Sequence, residues 1–207
     1  MSGHNINLTN KSANDSASKS GSGSPFAYPV IGFVAYSGTG KTTLIEKVIA
    51  ELTSRSLVIS AIKHTHHHFD IDRPGKDSHR HREAGAREIL LVSDQRWVLM
   101  HELHESKEPS IQEQISHLSP CDLVVVEGFK DAEIPKIELW RAEHEPCFSN
   151  LCKADTDQHI QAIAFPGGTK ASQQPELNRE ITVLDLDDHI EISDYIIKIT
   201  GLSAKLP

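Results

Sequence analysis

From Val30 onward, short apolar runs alternate with stretches of helical periodicity, and that alternation predicts an α/β sheet. The apolar runs predict strands over Val30–Ala35, Leu57–Ile62, Glu88–Val92, Trp97–His101, Leu123–Val126, Lys136–Trp140, Gln161–Phe165 and Ile181–Leu184. The helical patterns predict helices over Lys41–Ser54, Asp77–Gly85, Ile111–Leu118 and Asp188–Thr200. In the last of these, Ile192, Ile196 and Ile199 recur on one face, by which the helix should dock. Residues 1–27 are mostly Ser, Asn, Gly and Lys, too polar to offset the entropy of ordering, and are expected to form a disordered leader. A single domain over 28–207 follows, with a polar, irregular insertion near 141–157.

Composition narrows the function classes. A formal charge of −8 over 207 residues argues against general nucleic-acid binding, which relies on neutralising phosphates. One stretch departs from that balance: Arg73, Lys76, Arg80, Arg82 and Arg87 stand against Asp77 and Glu83. It reads either as a solvated face or as an anion-recognition patch. No apolar run approaches the roughly 20 residues of a membrane span, and the first residues lack the apolar segment of a secretory signal. A cytoplasmic, reducing location is expected, with Cys121, Cys147 and Cys152 as free thiols. His144, Cys147 and Cys152 lie close together but fit no common zinc spacing.

The most informative segment is Ala35-Tyr36-Ser37-Gly38-Thr39-Gly40-Lys41-Thr42-Thr43, between the first predicted strand and the first helix. It matches a Walker A loop except that Ala35 holds the place of the first glycine. A strand, a Gly-containing turn and a helix opening at Lys41 aim backbone N–H groups and the positive helix end at phosphate oxygens. Ser37, Gly38, Thr39, Gly40, Lys41, Thr42 and Thr43 are therefore the nucleotide-binding candidates. Lys41 adds a point charge near the β and γ phosphates, and Thr42 offers a hydroxyl to Mg²⁺. The expected architecture is a P-loop nucleoside triphosphatase fold, with a mostly parallel central sheet flanked by helices.

In such sheets ligands sit beyond the carboxyl ends of the strands. Lys63 and Glu127 follow predicted strands and should face the loop, whereas Asp122 begins its strand and lies about 13 Å from the other end. Glu127 is thus the expected acid, holding Mg²⁺ or orienting a water, with Lys41 as its catalytic companion. Gly128 beside it permits close backbone approach. Between the second strand and the next helix, His64, His66, His67 and His68 crowd a loop that also holds Thr65, Asp70 and Asp72. This region can carry a residue that senses the γ-phosphate. Its imidazoles could hydrogen-bond phosphates or bind a metal, although the spacing defines no single metal geometry.

Four stretches in order resemble the molybdopterin-guanine dinucleotide biosynthesis protein B family. They are Tyr36 to Leu44; Ile62-Lys63-His64-Thr65-His66-His67; Asp72-Arg73-Pro74-Gly75-Lys76-Asp77-Ser78 with Ala84-Gly85-Ala86; and Asp122 to Lys130 with Pro135-Lys136-Ile137. The resemblance covers about Val30 to Trp140. It implies a homodimeric GTP-binding protein with weak GTPase activity. Such a protein assists a separate molybdenum cofactor guanylyltransferase in attaching GMP to molybdopterin. Carried over by position, it implies that Ser37 to Thr43 bind phosphates, that Thr42 and Glu127 serve Mg²⁺, and that Lys63 to His67 lie in the nucleotide or cofactor cleft.

The guanine reader stays open. Cys152-Lys153-Ala154-Asp155 looks like a shortened Asn-Lys-x-Asp motif without its Asn and without a preceding strand. Pro166-Gly167-Gly168 is better placed by the strand-end rule, but only its backbone could read a base. Three other readings compete, one of them a non-catalytic adaptor in which nucleotide only sets a conformation. A small-molecule kinase would use Asp70 or Asp72 as base and Arg80, Arg82 or Arg87 as phosphate clamps. A metal-inserting GTPase would use His66 and His67.

Overall fold

In the computed structural model, which describes residues 26–65, 69–104, 106–142 and 152–203, the apolar runs separate into two sheets. The larger contains β1 (Val30–Ala35), β2 (Ile59–Lys63), β5 (Leu123–Glu127), β6 (Lys136–Leu139), β7 (Ile160–Phe165) and β8 (Thr182–Asp185). Its order is β2-β5-β1-β6-β7-β8, and every pairing is parallel. The helices are α1 (Lys41–Ser54), α2 (Asp77–Glu83), α3 (Ile111–Ser116) and α4 (His189–Thr200). Of the residues outside this description, 1–25 hold nearly all of the expected leader, and 143–151 hold most of the expected insertion.

β1 and β5 read as unbroken apolar runs because helices cover both faces of the sheet. Leu123 and Val125 of β5 pack in one cluster with Leu44, Val48 and Leu52 of α1 and Ile192 and Ile196 of α4. The alternate residues Val124 and Val126 join Ile111 and Ile115 of α3 on the other face, with Phe26 and Tyr28 packed alongside. The predicted docking face of α4 is right at Ile192 and Ile196, but Ile199 stays 36% exposed in the last turn, before the helix ends at Gly201.

Two predicted strands lie outside the parallel sheet. β3 (Glu88–Val92) and β4 (Trp97–His101) form a separate antiparallel ribbon, with Leu90 opposite Leu99 and Val92 opposite Trp97. Four residues separate the two strands, which suffices for an antiparallel return but not for the crossover that a parallel pairing needs.

One charged residue is built into the core. Lys136, 1% exposed, donates to the carbonyls of Lys130 (2.7 Å) and Ala132 (2.9 Å) and pairs with Asp157 at 2.5 Å. These bonds satisfy the ammonium and fix the return from β5 to β6. No helix of the described residues is long and apolar enough to cross a membrane.

Candidate functional site

The loop between β1 and α1 derives its shape from two glycines. Gly38 (φ 85°) and Gly40 (φ 93°) occupy the left-handed region, where a Cβ is strained. Ala35, by contrast, is the last strand residue, paired with Leu139, so a side chain there is compatible with the turn. Thr39 is buried and its hydroxyl donates to the Tyr36 carbonyl at 2.8 Å, closing the loop on itself. Gly40 is the N-cap of α1, and no side-chain hydrogen bond caps that end; the first turn also carries no acidic residue. The helix therefore presents N–H groups and a positive dipole end beside Lys41, Thr42 and Thr43.

Glu127 ends β5, in register with Lys63 of β2 and Phe33 of β1. The Thr42 hydroxyl donates to Glu127 Oε1 at 2.9 Å. Lys63 Nζ lies 3.4 Å from Oε2 and Lys41 Nζ 4.0 Å from Oε1. One carboxylate on β5 thus gathers three of the sequence candidates, Lys41 and Thr42 from α1 and Lys63 from β2. Asp122 sits at the opposite end of the strand, where it accepts from the Val58 N–H at 2.8 Å.

The turn after Glu127 is tight because the histidine loop crosses it. His64 N–H donates to the Glu127 carbonyl at 2.9 Å. A Cβ on Gly128 (φ 93°) would stand 3.1 Å from His64 Cβ and 3.2 Å from its carbonyl. Phe129 also has positive φ, 49°, unusual for an aromatic residue, and its ring stacks on His64 with centroids 4.4 Å apart. His64 Nε2 meets Glu108 at 3.2 Å. Thr65 follows, half-buried, while His66, His67 and His68 lie outside the described residues, as do His144 and Cys147 of the possible zinc set.

Asp72 is not brought to this cluster. It is buried and accepts from Arg82 Nη2 at 2.9 Å, while Arg82 Nη1 donates to Asp70 at 2.8 Å. The base and clamp residues of the kinase reading thus hold one another.

Of the two guanine-reading candidates, Asp155 is already engaged: its oxygens accept from the backbone and side-chain N–H groups of Asn178, each at 2.9 Å. Its neighbours have other tasks. Glu138, buried in β6, accepts from the N–H groups of Lys153 (2.9 Å) and Ala154 (2.7 Å), and burial pushes its carboxyl above the usual range against those bonds. Lys153 Nζ sits 3.8 Å above the Tyr36 ring. Burial, reinforced by the negative charges of Glu138 and Asp155, pushes the Cys152 thiol up to about 11.

On the other side of the Gly-rich loop lies a cavity of about 350 Å³. Gly40, Thr43, Lys47, Arg141, Leu186 and Asp187 line it. Arg141 and Asp187 went unnoticed in the sequence, although the strand-end rule applied to β8 points to Asp187.

A family model for molybdopterin guanine dinucleotide synthesis protein B matches residues 30–165. The chain belongs to that family. It is similar to the molybdopterin-guanine dinucleotide biosynthesis adapter protein of Escherichia coli (strain K12), with 41% identity over 174 residues, 82% of this chain and 92% of that protein. The adapter protein of Haemophilus influenzae is 38% identical over 168 residues, 81% of this chain and 87% of its own. Among solved structures, a molybdopterin-guanine biosynthesis protein B matches with TM-score 0.59 and 20% identity over 82% of this chain and 99% of its own. Bacillus subtilis MobB matches with TM-score 0.58 and 20% identity over 86% of this chain and 100% of its own. These structural matches carry the fold: the mostly parallel sheet flanked by helices is the P-loop nucleoside triphosphatase fold that the sequence predicted. Membership of the family places the chain in molybdopterin guanine dinucleotide cofactor biosynthesis, as an adapter protein.

Proposed function

We propose that this protein is a GTP-binding accessory factor with weak GTPase activity that assists a separate guanylyltransferase in joining GMP to molybdopterin. The observation that carries the reading is the bond from Thr42 to Glu127 at 2.9 Å, with Lys41 and Lys63 drawn to the same carboxylate. A hydroxyl and a carboxylate at that spacing, beside an uncapped helix N-terminus, are hard oxygen donors next to an anion site. They fit Mg²⁺, which when bound draws charge from the β- and γ-phosphate oxygens. The N–H groups of Ser37 to Thr43 hold the phosphates in place, and Lys41 offsets the charge that builds as water attacks the γ-phosphate. Glu127 orients that water or the metal's own waters. Lys63, His64 and Thr65 form the wall toward which the cofactor or the switch response is directed, and His66 follows them in the sequence.

The protein acts in the cytoplasm as a homodimer. The β3–β4 ribbon supports this: one face presents Leu90 (58% exposed), Val92 (69%), Trp97 (64%) and Leu99 (48%). A two-stranded ribbon is marginal in water, and a second copy would close this face with an isologous contact.

The test is calorimetric titration of GTP and ATP with Mg²⁺, with and without molybdopterin. Selective GTP binding strengthened by molybdopterin is the expected result; preference for ATP, or indifference to molybdopterin, would overturn the reading. Lys41→Ala should abolish nucleotide binding, and Glu127→Gln should retain binding while impairing Mg²⁺-dependent turnover.

A further inference from the structure

The turns after β7 and β8 share one organiser, Asp185, and the second of them reaches the 350 Å³ cavity beside α1 through Leu186 and Asp187. Its Oδ1 accepts from the N–H groups of Gly167 (2.9 Å) and Asp187 (3.0 Å). A Cβ added to Gly167 would stand 2.5 Å from Asp185 Oδ2, so the turn after β7 is bare where Asp185 packs against it. No side chain can project from Gly167 to read a bound base.

Three aspartates follow the β8 register, and two are absorbed locally. Asp185 ties the turns, and Asp188 caps α4 by accepting from Ile190 and Glu191 N–H, each at 3.0 Å. Asp187 is different. Its side chain is 65% exposed and lines the cavity, with Arg141 Nη2 3.4 Å from Oδ1. Arg141 is itself anchored on the Gly-rich loop, its Nε donating to the Thr39 carbonyl at 3.1 Å. The pair is therefore set in fixed relation to the loop proposed to hold the phosphates, with Thr43 and Lys47 of α1 on the near wall.

The geometry points to Asp187 as the residue that selects guanine, with Arg141 beside it as the second half of the reading edge. This assignment rests on the proposed binding of a nucleotide at the loop. A carboxylate only accepts hydrogen bonds. Guanine offers it two donors side by side, N1–H and the N2 amino group, with O6 adjacent as an acceptor for the Arg141 guanidinium. Adenine turns the acceptor N1 toward the same place and is repelled. Asp187 supplies the side chain that the Gly167 turn lacks, while Asp155 is held by Asn178.

The experiment compares GTP, inosine triphosphate, xanthosine triphosphate and ATP by calorimetry on the wild-type protein, Asp187→Asn and Lys41→Ala. Asp187 is exposed, so the isosteric variant should fold. The wild type should prefer GTP to inosine triphosphate, which lacks the N2 donor, and should discriminate against the other two. In Asp187→Asn, GTP affinity should fall by about 10- to 100-fold. Xanthosine triphosphate should overtake GTP, because the new amide N–H can donate to the C2 oxygen of xanthine. Lys41→Ala should lose all four nucleotides whatever the base. An Asp187→Asn protein that keeps the wild-type order of GTP and xanthosine triphosphate overturns the assignment while leaving the phosphate-loop reading standing. A wild type that binds none of the four overturns both.

Discussion

β1 and β3 are both short apolar strands, yet they meet opposite surroundings. Val30, Ile31, Phe33 and Val34 of β1 are at most 4% exposed, whereas Leu90 and Val92 of β3 are 58% and 69% exposed. β1 lies between β5 and β6, with helices packed above and below. β3 has one strand partner, and only one face of the ribbon is covered, with Ile89 7% exposed. Apolar content therefore says that a strand has something to bury, not that the same chain buries it. In β1 the covering helices follow in sequence; in β3 the exposed face is complete only if another surface closes it.

The first way to test that contrast is to cut a cavity on the closed side. Phe33→Ala should cost about 3–5 kcal/mol in chemical denaturation; a loss under about 1 kcal/mol would mean that the centre of the sheet is not the tightly packed body described. Alkali should attack the same body. Because the Cys152 thiol is raised from 9.0 to about 11 in the folded protein, the unfolded chain ionises first as pH rises. The stabilisation is thus fully present below pH 9 and lost between about pH 9 and 11, on the order of 2 kcal/mol. Cys152→Ser should flatten that part of the stability–pH curve relative to wild type, and parallel curves would refute the cause.

Smaller still is the cap of α3. Ser110 and Glu113 form a reciprocal capping box, with Ser110 N–H donating to Glu113 at 2.7 Å and Glu113 N–H to Ser110 Oγ at 3.3 Å. Ser110→Ala should cost about 1 kcal/mol by thermal denaturation. On the ribbon, Leu90→Asp should change the stability of a single chain least, within about 0.5 kcal/mol. It should nevertheless halve the mass seen by sedimentation if a second copy covers that face. An unchanged mass would break the link between exposed apolar strands and assembly.

The legibility of the site followed the same logic. Thr42, Lys63 and Glu127 could be placed together beforehand because parallel strands put their carboxyl ends on one edge, and their contacts fall there. Asp72 could not be sorted in this way. It sits in a loop, where sequence distance says nothing about direction, and Arg82 holds it. Asp155 sat in a suggestive motif, but its partner Asn178 is far along the chain and invisible to local reading. Arg141 and Asp187 meet across a separation of 46 residues, a pairing that no spacing rule encodes.

The sequence alone determined the elements, the Gly-rich loop and the acid opposite it, because local periodicity, φ preferences and strand direction are set by near neighbours. The tertiary structure alone decided that β3 and β4 leave the main sheet with an apolar face exposed, and that Asp187, not Asp155, lines the cavity. Those outcomes depend on which distant groups compete for the same apolar surface and the same hydrogen-bond donors, and that competition is resolved only when the chain is folded.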